Sequence, residues 1–439
     1  MKKTFLLRLF ACVLAAIPAA LAQVKFRVIF DGNSSFYEPV SIAQLSPDVF
    51  IWDSRAYYIV SVTPKGEVAL LASAPSGYFV SVPFPGPESR GYSSAVAGGS
   101  TPPPPEVISF TAKPGGQRTY SPQSLSAGFS ASLPDSQLLG FGADSEGTGH
   151  IITGDAQGNV ASVYQFPPHE LAVAGPIYAS DGNYYGILWG EYGPEAGASY
   201  VFRVTPSGAL TALYNFPLKS FASGFNGSLV QGADGNLYGT IPFGGANGEG
   251  AFFQLTLAGQ YTLIYSFQKS SGAPGSLFQA SDGNFYGVTG GIVDPPGPGV
   301  IFGVTAAGQY SELYKMSGRD GGCSCELMQG SDGILYGVAE GGGAHGIGTI
   351  FALNVGLPKP APQALSFSPA QGAVGARVRI WGYNLLSSSV QFNGVAAAAV
   401  EGSGPNYVYA AVPAGATSGP ITVTTPGGTS TTTAAFTVK

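Results

Sequence analysis

Short runs rich in aromatic and β-branched residues alternate with turn-forming residues along most of the chain. Such runs, bounded by Gly, Asp, Asn or Pro, are typical of β-strands. In the clearest unit, Asp-Gly and Leu257-Ala258-Gly259 separate successive runs and indicate tight hairpins, because Gly adopts positive φ at little cost. We therefore predict four antiparallel strands in this unit, near 228–233, 236–242, 251–256 and 260–267.

The same arrangement recurs about every fifty residues. Its first marker reads Asp-Gly-Asn-x-Tyr-Gly and begins at Asp181, Asp234 and Asp282; a fourth copy, at Asp332, has Ile in place of Asn. A second marker of the form Phe-x-Val-Thr has seven copies if Ile151-Ile152-Thr153 is accepted as one. Four antiparallel strands per repeat describe the blades of a β-propeller. A right-handed parallel β-helix is the weaker alternative, because its repeat is shorter and lacks these hairpins.

The two ends of the repeat region complement each other. The last unit ends at a third strand, Thr349 to Leu353, and Val24 to Phe30 resembles a fourth strand without a unit of its own. An N-terminal strand that completes the last blade closes the ring and removes an exposed edge. We predict an all-β fold with a propeller over residues 23–354. Seven blades fit best, with six or eight as alternatives, because residues 74–106 are too divergent to align.

The hairpin turns and the longer loops are expected at opposite ends of the propeller. The turns between first and second strands, and between third and fourth strands, share one end; the variable connections share the other. Loops on a rigid scaffold are where binding usually resides. The residues expected at or near this loop end are His150, His169, Trp189, Glu191, Tyr192, Lys219, Phe221, Phe225, Arg319, Asp320, Cys323, Cys325 and His345.

The N-terminus has the pattern of a secretory signal peptide. A basic start, an apolar stretch from Phe5 to Leu21 and the small-x-small pattern Ala20-Leu21-Ala22 predict cleavage after residue 22. An uncleaved anchor, or lipidation at Cys12, is the alternative. No later stretch is apolar over 18 residues, so no spanning helix is expected after cleavage. We expect a secreted or cell-surface protein, with the bacterial periplasm as a further compartment.

Composition narrows the classes of partner. The 439 residues include 65 Gly and 34 Pro, only 10% are charged, and the net charge is −6. With 44% hydrophobic residues the chain can bury cores, which argues against global disorder. An acidic chain with few Lys and Arg is a poor nucleic-acid binder, because phosphate contacts need a basic patch.

The C-terminal part has its own pattern. Residues 355–361 are Pro-rich and predict a stiff, extended linker. Residues 362–439 contain short β-rich runs divided by turn residues, which is typical of a small β-sandwich.

Both regions resemble known families. Residues about 175–353 resemble the GloVer tandem-repeat family of secreted bacterial proteins, through the Asp-Gly-Asn-x-Tyr-Gly core and the Gly-rich stretch Gly244 to Gly248. Residues 362–439 resemble the immunoglobulin-like IPT/TIG domain, through Phe367-Ser368-Pro369, Ile380 to Leu385 and Gly419 to Val423. The resemblance implies an exported surface or matrix role and supplies no activity. Many members of the repeat family carry a C-terminal anchor, whereas this chain ends in the second module.

Candidate chemistry is sparse. Asp-Gly-Asn offers one carboxylate per repeat, unlike the clustered oxygen ligands of calcium loops, and is interpreted as a turn. No zinc spacing surrounds Cys323 and Cys325, which are interpreted as a strained local disulfide or free thiols. We therefore expect no metal and no cofactor. No nucleophile elbow occurs, and spacing does not show that Glu191, Glu195, Asp320 and Glu340 converge as the two carboxylates of a glycosidase must.

These observations favour binding over catalysis. We predict an exported binding or adhesion protein that engages a glycan, matrix component or protein through its loop end. Trp189, Glu191 and Tyr192 are the candidate ligand-binding residues, since exposed aromatic side chains can stack on sugar rings. The alternative to ligand binding is a structural role, in which Trp189 and Tyr192 pack a loop onto the scaffold. A polysaccharide-cleaving lyase or hydrolase and a purely structural surface protein are the alternatives.

Overall fold

The computed structural model describes residues 24–33, 36, 39–54, 58–74, 78–80, 83–86, 90–97, 106–111, 114–120, 126–133, 137–144, 148–155, 159–167, 170–190, 199–216, 227–270, 272–290, 299–322, 326–401 and 404–439. The signal peptide predicted over residues 1–22 lies outside these ranges, as do Cys323 and Cys325. The described residues form strands and turns and contain no helix, so the all-β prediction is confirmed for them.

Up to Asn354, the described strands form seven antiparallel sheets, which we number I to VII along the chain. The first strand is β1 (Lys25–Asp31), which belongs to sheet VII. Sheet I contains β2 (Pro39–Ser46), β3 (Val49–Ser54), β4 (Tyr58–Val62) and β5 (Val68–Ser73). Sheet II contains β6 (Tyr78–Val80), β7 (Phe84–Gly86), β8 (Arg90–Ala97), β9 (Glu106–Phe110) and β10 (Arg118–Tyr120). Sheet III contains β11 (Ser126–Ser132), β12 (Leu138–Ala143), β13 (Gly149–Gly154) and β14 (Val160–Gln165).

The remaining four sheets follow the same order. Sheet IV contains β15 (Glu170–Tyr178), β16 (Tyr184–Gly190), β17 (Ser199–Val204) and β18 (Leu210–Phe216). Sheet V contains β19 (Ser228–Gln231), β20 (Leu237–Ile241), β21 (Ala251–Leu255) and β22 (Tyr261–Ser266). Sheet VI contains β23 (Pro274–Gln279), β24 (Phe285–Thr289), β25 (Val300–Val304) and β26 (Tyr310–Lys315). Sheet VII contains β27 (Leu327–Gln329), β28 (Leu335–Ala339), β29 (Thr349–Asn354) and β1.

The sheets pack in a ring through their first strands. β15 packs against β19, β19 against β23 and β23 against β27, and β2 of sheet I packs against β27 and β28 of sheet VII. The interfaces between sheets are apolar: Phe253 and Leu255 of sheet V share a core with Tyr185 and Ile187 of sheet IV. Small or apolar residues on both sheet faces therefore account for the low charge of the sequence.

The N-terminal strand completes sheet VII, as the sequence predicts. β1 pairs antiparallel with β29, and Phe26 lies opposite Leu353. Tyr261 lies opposite Leu255 at the corresponding place in sheet V. Each ring stacks on a Tyr of the preceding sheet: Phe26 on Tyr314 at 4.1 Å, and Tyr261 on Tyr214 at 4.0 Å. β1 therefore takes the position of a fourth strand in its contacts as well as in its hydrogen bonds.

Residues 363–439 form a separate two-sheet sandwich, the tail module. One sheet contains β30 (Gln363–Ser368), β32 (Arg377–Tyr383), β36 (Tyr407–Ala411) and β35 (Val400–Glu401). The other contains β31 (Gln371–Gly372), β38 (Gly428–Val438), β37 (Gly419–Thr425), β33 (Ser389–Phe392) and β34 (Val395–Ala396). Val378, Ile380 and Val408 of the first sheet share a core with Phe392, Ile421, Val423 and Phe436 of the second.

Candidate functional site

The repeated Asp-Gly-Asn segments form turns at one end of the ring, which we call the turn face. In sheet V, Asp234 Oδ1 accepts the backbone N–H of Asn236 at 3.1 Å. Its Oδ2 accepts from Asn236 Nδ2 at 2.8 Å and from the Tyr238 hydroxyl at 2.9 Å. Gly235 has a φ of 83°, which closes the turn in a conformation that favours glycine. The same bonds recur at Asp181 and Asp282, so the turn interpretation of this motif is confirmed.

These bonds set the charge of the carboxylates. Partial burial acts to raise the pKa of Asp234, but the hydrogen bonds from Asn236 and Tyr238 outweigh it and hold the pKa below its ordinary value. Burial and the Asp234 carboxylate raise the pKa of Tyr238 to about 12. The hydrogen bonds of the motif therefore stabilise its own turn, and the Asp234 oxygens already accept bonds from Asn236 and Tyr238.

A glutamine in the first strand ties sheets V, VI, VII and I to the preceding sheet. Gln231 Oε1 accepts the Ser180 N–H at 2.8 Å, and its Nε2 donates to the Ser180 hydroxyl at 2.9 Å. Gln329 makes the same two bonds to Ser281 of sheet VI, and Gln279 Oε1 accepts the Ala233 N–H of sheet V. Gln44 makes both bonds to Ser331, across the junction between sheets VII and I. The sequence signal is Ser-Leu-x-Gln at Gln231 and Gln279, Glu-Leu-x-Gln at Gln329 and Ser-Ile-x-Gln at Gln44, and strand patterns alone do not reveal it.

The tail module and its linker lie on the turn face. Ser281 Oγ donates to Pro358 O at 2.6 Å, and Gln329 Nε2 donates to the same carbonyl at 3.0 Å. Farther round the ring, Asn406 Nδ2 donates to Ser132 Oγ at the end of β11. These contacts reach sheets III, VI and VII, so the module extends across this end of the ring.

The opposite end, which we call the loop face, carries the connections between second and third strands and from each sheet to the next. The candidate Trp189 lies there near the end of β16, where its backbone pairs with Leu171 and Ser199. Glu191 and Tyr192 lie outside the described residues, as do His169, Lys219, Phe221 and Phe225. That Glu191 and Tyr192 form one site with Trp189 therefore stays a prediction.

Two loops of the loop face contact each other beside sheet VII. Asp320 closes its own loop, since its Oδ2 accepts from the Tyr314 hydroxyl at 2.9 Å and from Ser317 Oγ at 2.7 Å. Its backbone carbonyl accepts from Thr349 Oγ1 at 2.6 Å, which joins the loop to β29. Arg319 and His345 are exposed on these loops. Asp320 is therefore a structural cap rather than a free carboxylate.

A buried carboxyl group that the sequence analysis did not single out lies at the loop-face end of β3. Asp53 is 4% exposed, and its Oδ1 accepts from the Ser41 N–H at 3.0 Å and from the Ser41 hydroxyl. The register of β2 shifts between Pro39 and Ile42, so this irregularity frees the Ser41 N–H for the carboxyl. Burial raises the pKa of Asp53 to about 6, although these hydrogen bonds act to lower it.

A second carboxyl holds the next residue of β2. Glu326 precedes β27, and its Oε2 accepts the Ile42 N–H at 3.1 Å. Burial of the carboxyl raises its pKa to about 7, and the nearby Asp53 acts in the same direction. The two carboxyls therefore bind adjacent residues of one strand, one from within sheet I and the other from sheet VII.

The repeat register shows why these residues are unusual. Ser228 precedes Leu229, and Ser276 precedes Leu277, at the position where Glu326 precedes Leu327. Ser228 Oγ donates to Leu277 O of the next sheet, whereas Glu326 accepts from Ile42 of the next sheet. An alignment of the repeats on Ser-Leu-x-Gln shows that Glu326 replaces the serine of the other two repeats.

His150 is buried at the loop-face end of β13 in sheet III. Its Nδ1 lies 2.9 Å from Ser162 Oγ, and its Nε2 lies 3.5 Å from Asp144 Oδ2. Asp144 Oδ1 also accepts the Thr148 N–H at 2.9 Å and so closes the loop between β12 and β13. The histidine therefore joins this loop to β14. Among the described residues, no group of three or more His, Cys, Asp or Glu side chains is arranged to hold a metal ion.

Comparison with known proteins supports the repeat family and the fold. Residues 172–376 match the Gloeobacter/Verrucomicrobia repeat. The chain is similar to a streptogramin B lyase structure, at 14% identity and a TM-score of 0.50, over 76% of this chain and 99% of the lyase. It is also similar to virginiamycin B lyase from Staphylococcus aureus, at 14% identity and a TM-score of 0.51, over 76% of this chain and 100% of the lyase. At this identity the likeness shows the fold alone. The search of curated proteins found no match.

Proposed function

We propose that this chain is an exported binding protein that engages a glycan, matrix component or protein ligand through the loop face of a seven-bladed β-propeller. Sheets I to VII are its blades, closed by β1, and the tail module is an immunoglobulin-like IPT/TIG domain. In the described part of the chain we find no helix with the length and hydropathy of a membrane span.

One observation carries the proposal: the tail module occupies the turn face. The linker carbonyl of Pro358 is bound by Ser281 and Gln329, and Asn406 reaches Ser132. The Asp carboxylates of the turns are satisfied by their own Asn and Tyr partners. A ligand thus meets an occupied surface at that end, whereas the loop face carries the long connections that commonly bind ligands on rigid scaffolds.

Trp189, Glu191 and Tyr192 are the proposed contact residues on the loop face. β16 delivers Trp189 to the start of a long connection between β16 and β17, in which Glu191 and Tyr192 follow directly. Aromatic side chains present a large surface at low entropic cost, and a neighbouring carboxylate can accept hydrogen bonds from hydroxyl groups. This combination suits a sugar ring better than an anionic or apolar ligand.

A glycan array with the mature chain tests the proposal. We expect selective binding that Trp189→Ala or Tyr192→Ala reduces at least tenfold, which corresponds to about 1.4 kcal/mol. Tyr178→Ala is the matched control, because Tyr178 is 37% exposed at the turn-face end of β15 in the same sheet. Unchanged binding in both loop variants would remove the named site, and the absence of any glycan or protein ligand would remove the binding proposal.

The same samples distinguish binding from cleavage. Incubation with neutral and acidic polysaccharides, followed by an assay for new reducing ends, should detect none. New ends would replace the binding proposal with a lyase or hydrolase activity. A chain that neither binds nor cleaves would be a structural surface protein.

A further inference from the structure

The chain passes from sheet VII to sheet I between β1 and β2, and strands β27 to β29 of sheet VII reach sheet I through side-chain contacts. The apolar core of this junction joins Ile42, Phe50 and Trp52 of sheet I to Tyr336, Val338 and Ile350 of sheet VII. The Phe50 and Tyr336 rings lie 4.0 Å apart. The Gln44–Ser331 bonds close its turn-face end, and the Glu326–Ile42 bond lies toward its loop-face end.

This junction also carries two carboxyls with raised pKa values, those of the buried Asp53 and the half-buried Glu326. Glu326 binds the Ile42 N–H from sheet VII, and Asp53 binds the adjacent Ser41 from β3. At the positions that correspond to Glu326, sheets V and VI have Ser228 and Ser276. The exchange of a neutral hydroxyl for an ionisable group thus falls at the junction between sheets VII and I.

We propose that Asp53 and Glu326 form a proton-dependent latch on the junction between sheets VII and I. The latch holds β2 against sheet VII while the carboxyls are protonated, and it weakens when both are ionised. The proposal is independent of what the loop face binds.

The surroundings offer the pair no compensating positive charge among the described residues that act on it. Each carboxyl is perturbed by another acidic group: Asp53 acts to raise the pKa of Glu326, and Glu340, which follows β28, acts to raise the pKa of Asp53. Full ionisation therefore places two negative charges, those of Asp53 and Glu326, beside adjacent residues of β2. Like charges in a partly desolvated site repel strongly, because little water screens them.

The raised pKa values determine whether stability rises or falls with pH. The pKa of Asp53 rises from 3.8 to about 6, and that of Glu326 from 4.5 to about 7. The folded chain keeps these protons where the unfolded chain has lost them, so their contribution to stability is complete below about pH 4 and is lost as the pH rises to about 7. Each carboxyl should raise the unfolding equilibrium constant up to about tenfold per pH unit within its window.

The experiment uses the mature chain with Trp189→Phe and Trp381→Phe, which leaves the buried Trp52 at the junction as the sole tryptophan. Urea unfolding is followed by Trp52 fluorescence at pH 5, 6, 7 and 8 in this background, with and without Asp53→Asn and Glu326→Gln. Both substitutions keep an acceptor oxygen for β2 and remove the titration. The control, Glu312→Gln, changes an exposed glutamate on β26.

A local measurement separates the latch from general acid stability. Hydrogen exchange of residues 39–46 is compared, in the same sample, with residues 228–231 of sheet V. We expect exchange at β2 to accelerate relative to β19 between about pH 4 and 7, and this relative change to disappear in the double variant. Glu326→Gln alone should remove about half of the pH dependence of unfolding, so it serves if the double variant does not fold.

Two results would overturn the latch. One is a pH profile of unfolding that is identical in the background, the Glu326→Gln variant and the double variant. The other is a parallel change of exchange at β2 and β19, which would show a response of the whole ring rather than of the junction between sheets VII and I. Glu312→Gln should follow the background in both measurements.

Discussion

Strand β1 closes the ring, and we predict that its contacts contribute to the free energy of unfolding. Phe26→Ala tests this prediction. The Phe26 ring stacks on Tyr314 at 4.1 Å with an interplanar angle of 2°, and lies 5.3 Å from Phe351. Truncating a fully buried Phe to Ala costs about 3–5 kcal/mol. Phe26 is half-buried, so we expect a loss of about 2 kcal/mol in the free energy of unfolding.

Urea unfolding of the mature chain, followed by circular dichroism, measures this loss. A double-mutant cycle with Tyr314→Ala isolates the ring pair, for which we expect a coupling of about 0.5–1.5 kcal/mol. The cycle also cancels the bond between the Tyr314 hydroxyl and Asp320, provided that this bond is unchanged in the Phe26→Ala background.

Tyr261→Ala is the matched control for Phe26→Ala. Tyr261 takes the equivalent position in sheet V, is also half-buried, and stacks on Tyr214 at 4.0 Å. Comparable losses in both variants would show that β1 is as integral as a fourth strand inside the ring. A loss of about 2 kcal/mol for Tyr261→Ala with none for Phe26→Ala would refute the closure argument.

Two further predictions concern the turn face. Gln231→Ala removes both bonds to Ser180 and should cost about 1–2 kcal/mol by urea unfolding, while Gln260→Ala, at an exposed position, should cost little. Asp234→Asn should weaken the decrease of the free energy of unfolding at acid pH. The pKa of Asp234 lies below its ordinary value of 3.8 in the folded chain, so its carboxylate stabilises the fold above pH 3.8. This contribution is lost as the pH falls through the folded pKa. A Gln260→Ala loss equal to that of Gln231→Ala, or an acid limb unchanged in Asp234→Asn, would contradict the respective assignment.

Local chemistry made much of the fold predictable. The strands predicted near 228–233, 236–242, 251–256 and 260–267 are observed as β19 to β22, with ends shifted by a few residues. Asp-Gly and the glycine of each hairpin act within a few residues of themselves, so their effect is visible in the sequence. The role of Val24 to Phe30 was also predictable, because an orphan strand and an incomplete last unit complement each other.

Contacts between repeats were harder to predict from the sequence. Gln231 reads as an ordinary strand residue, and only the packing of β19 against β15 shows that it reaches Ser180. The sheet formed by β6 to β10 could not be aligned, since its strands are short and one extra strand pairs with β8. The candidate residues Trp189, Glu191 and Tyr192 stay a prediction for binding, because side-chain convergence on a loop depends on the fold around it.

The sequence alone determined the repeat, its turns and the strand that completes the last sheet, because each rests on hydrogen-bonding and φ preferences within a few residues. Only the tertiary structure decided that Asp53 and Glu326, far apart in the chain, bind neighbouring residues of β2. It also decided that the tail module occupies the turn face. The physical reason is that the packing of sheet VII against sheet I brings distant residues together, and burial there raises the free-energy cost of ionising a carboxyl, which no pattern of nearby residues encodes.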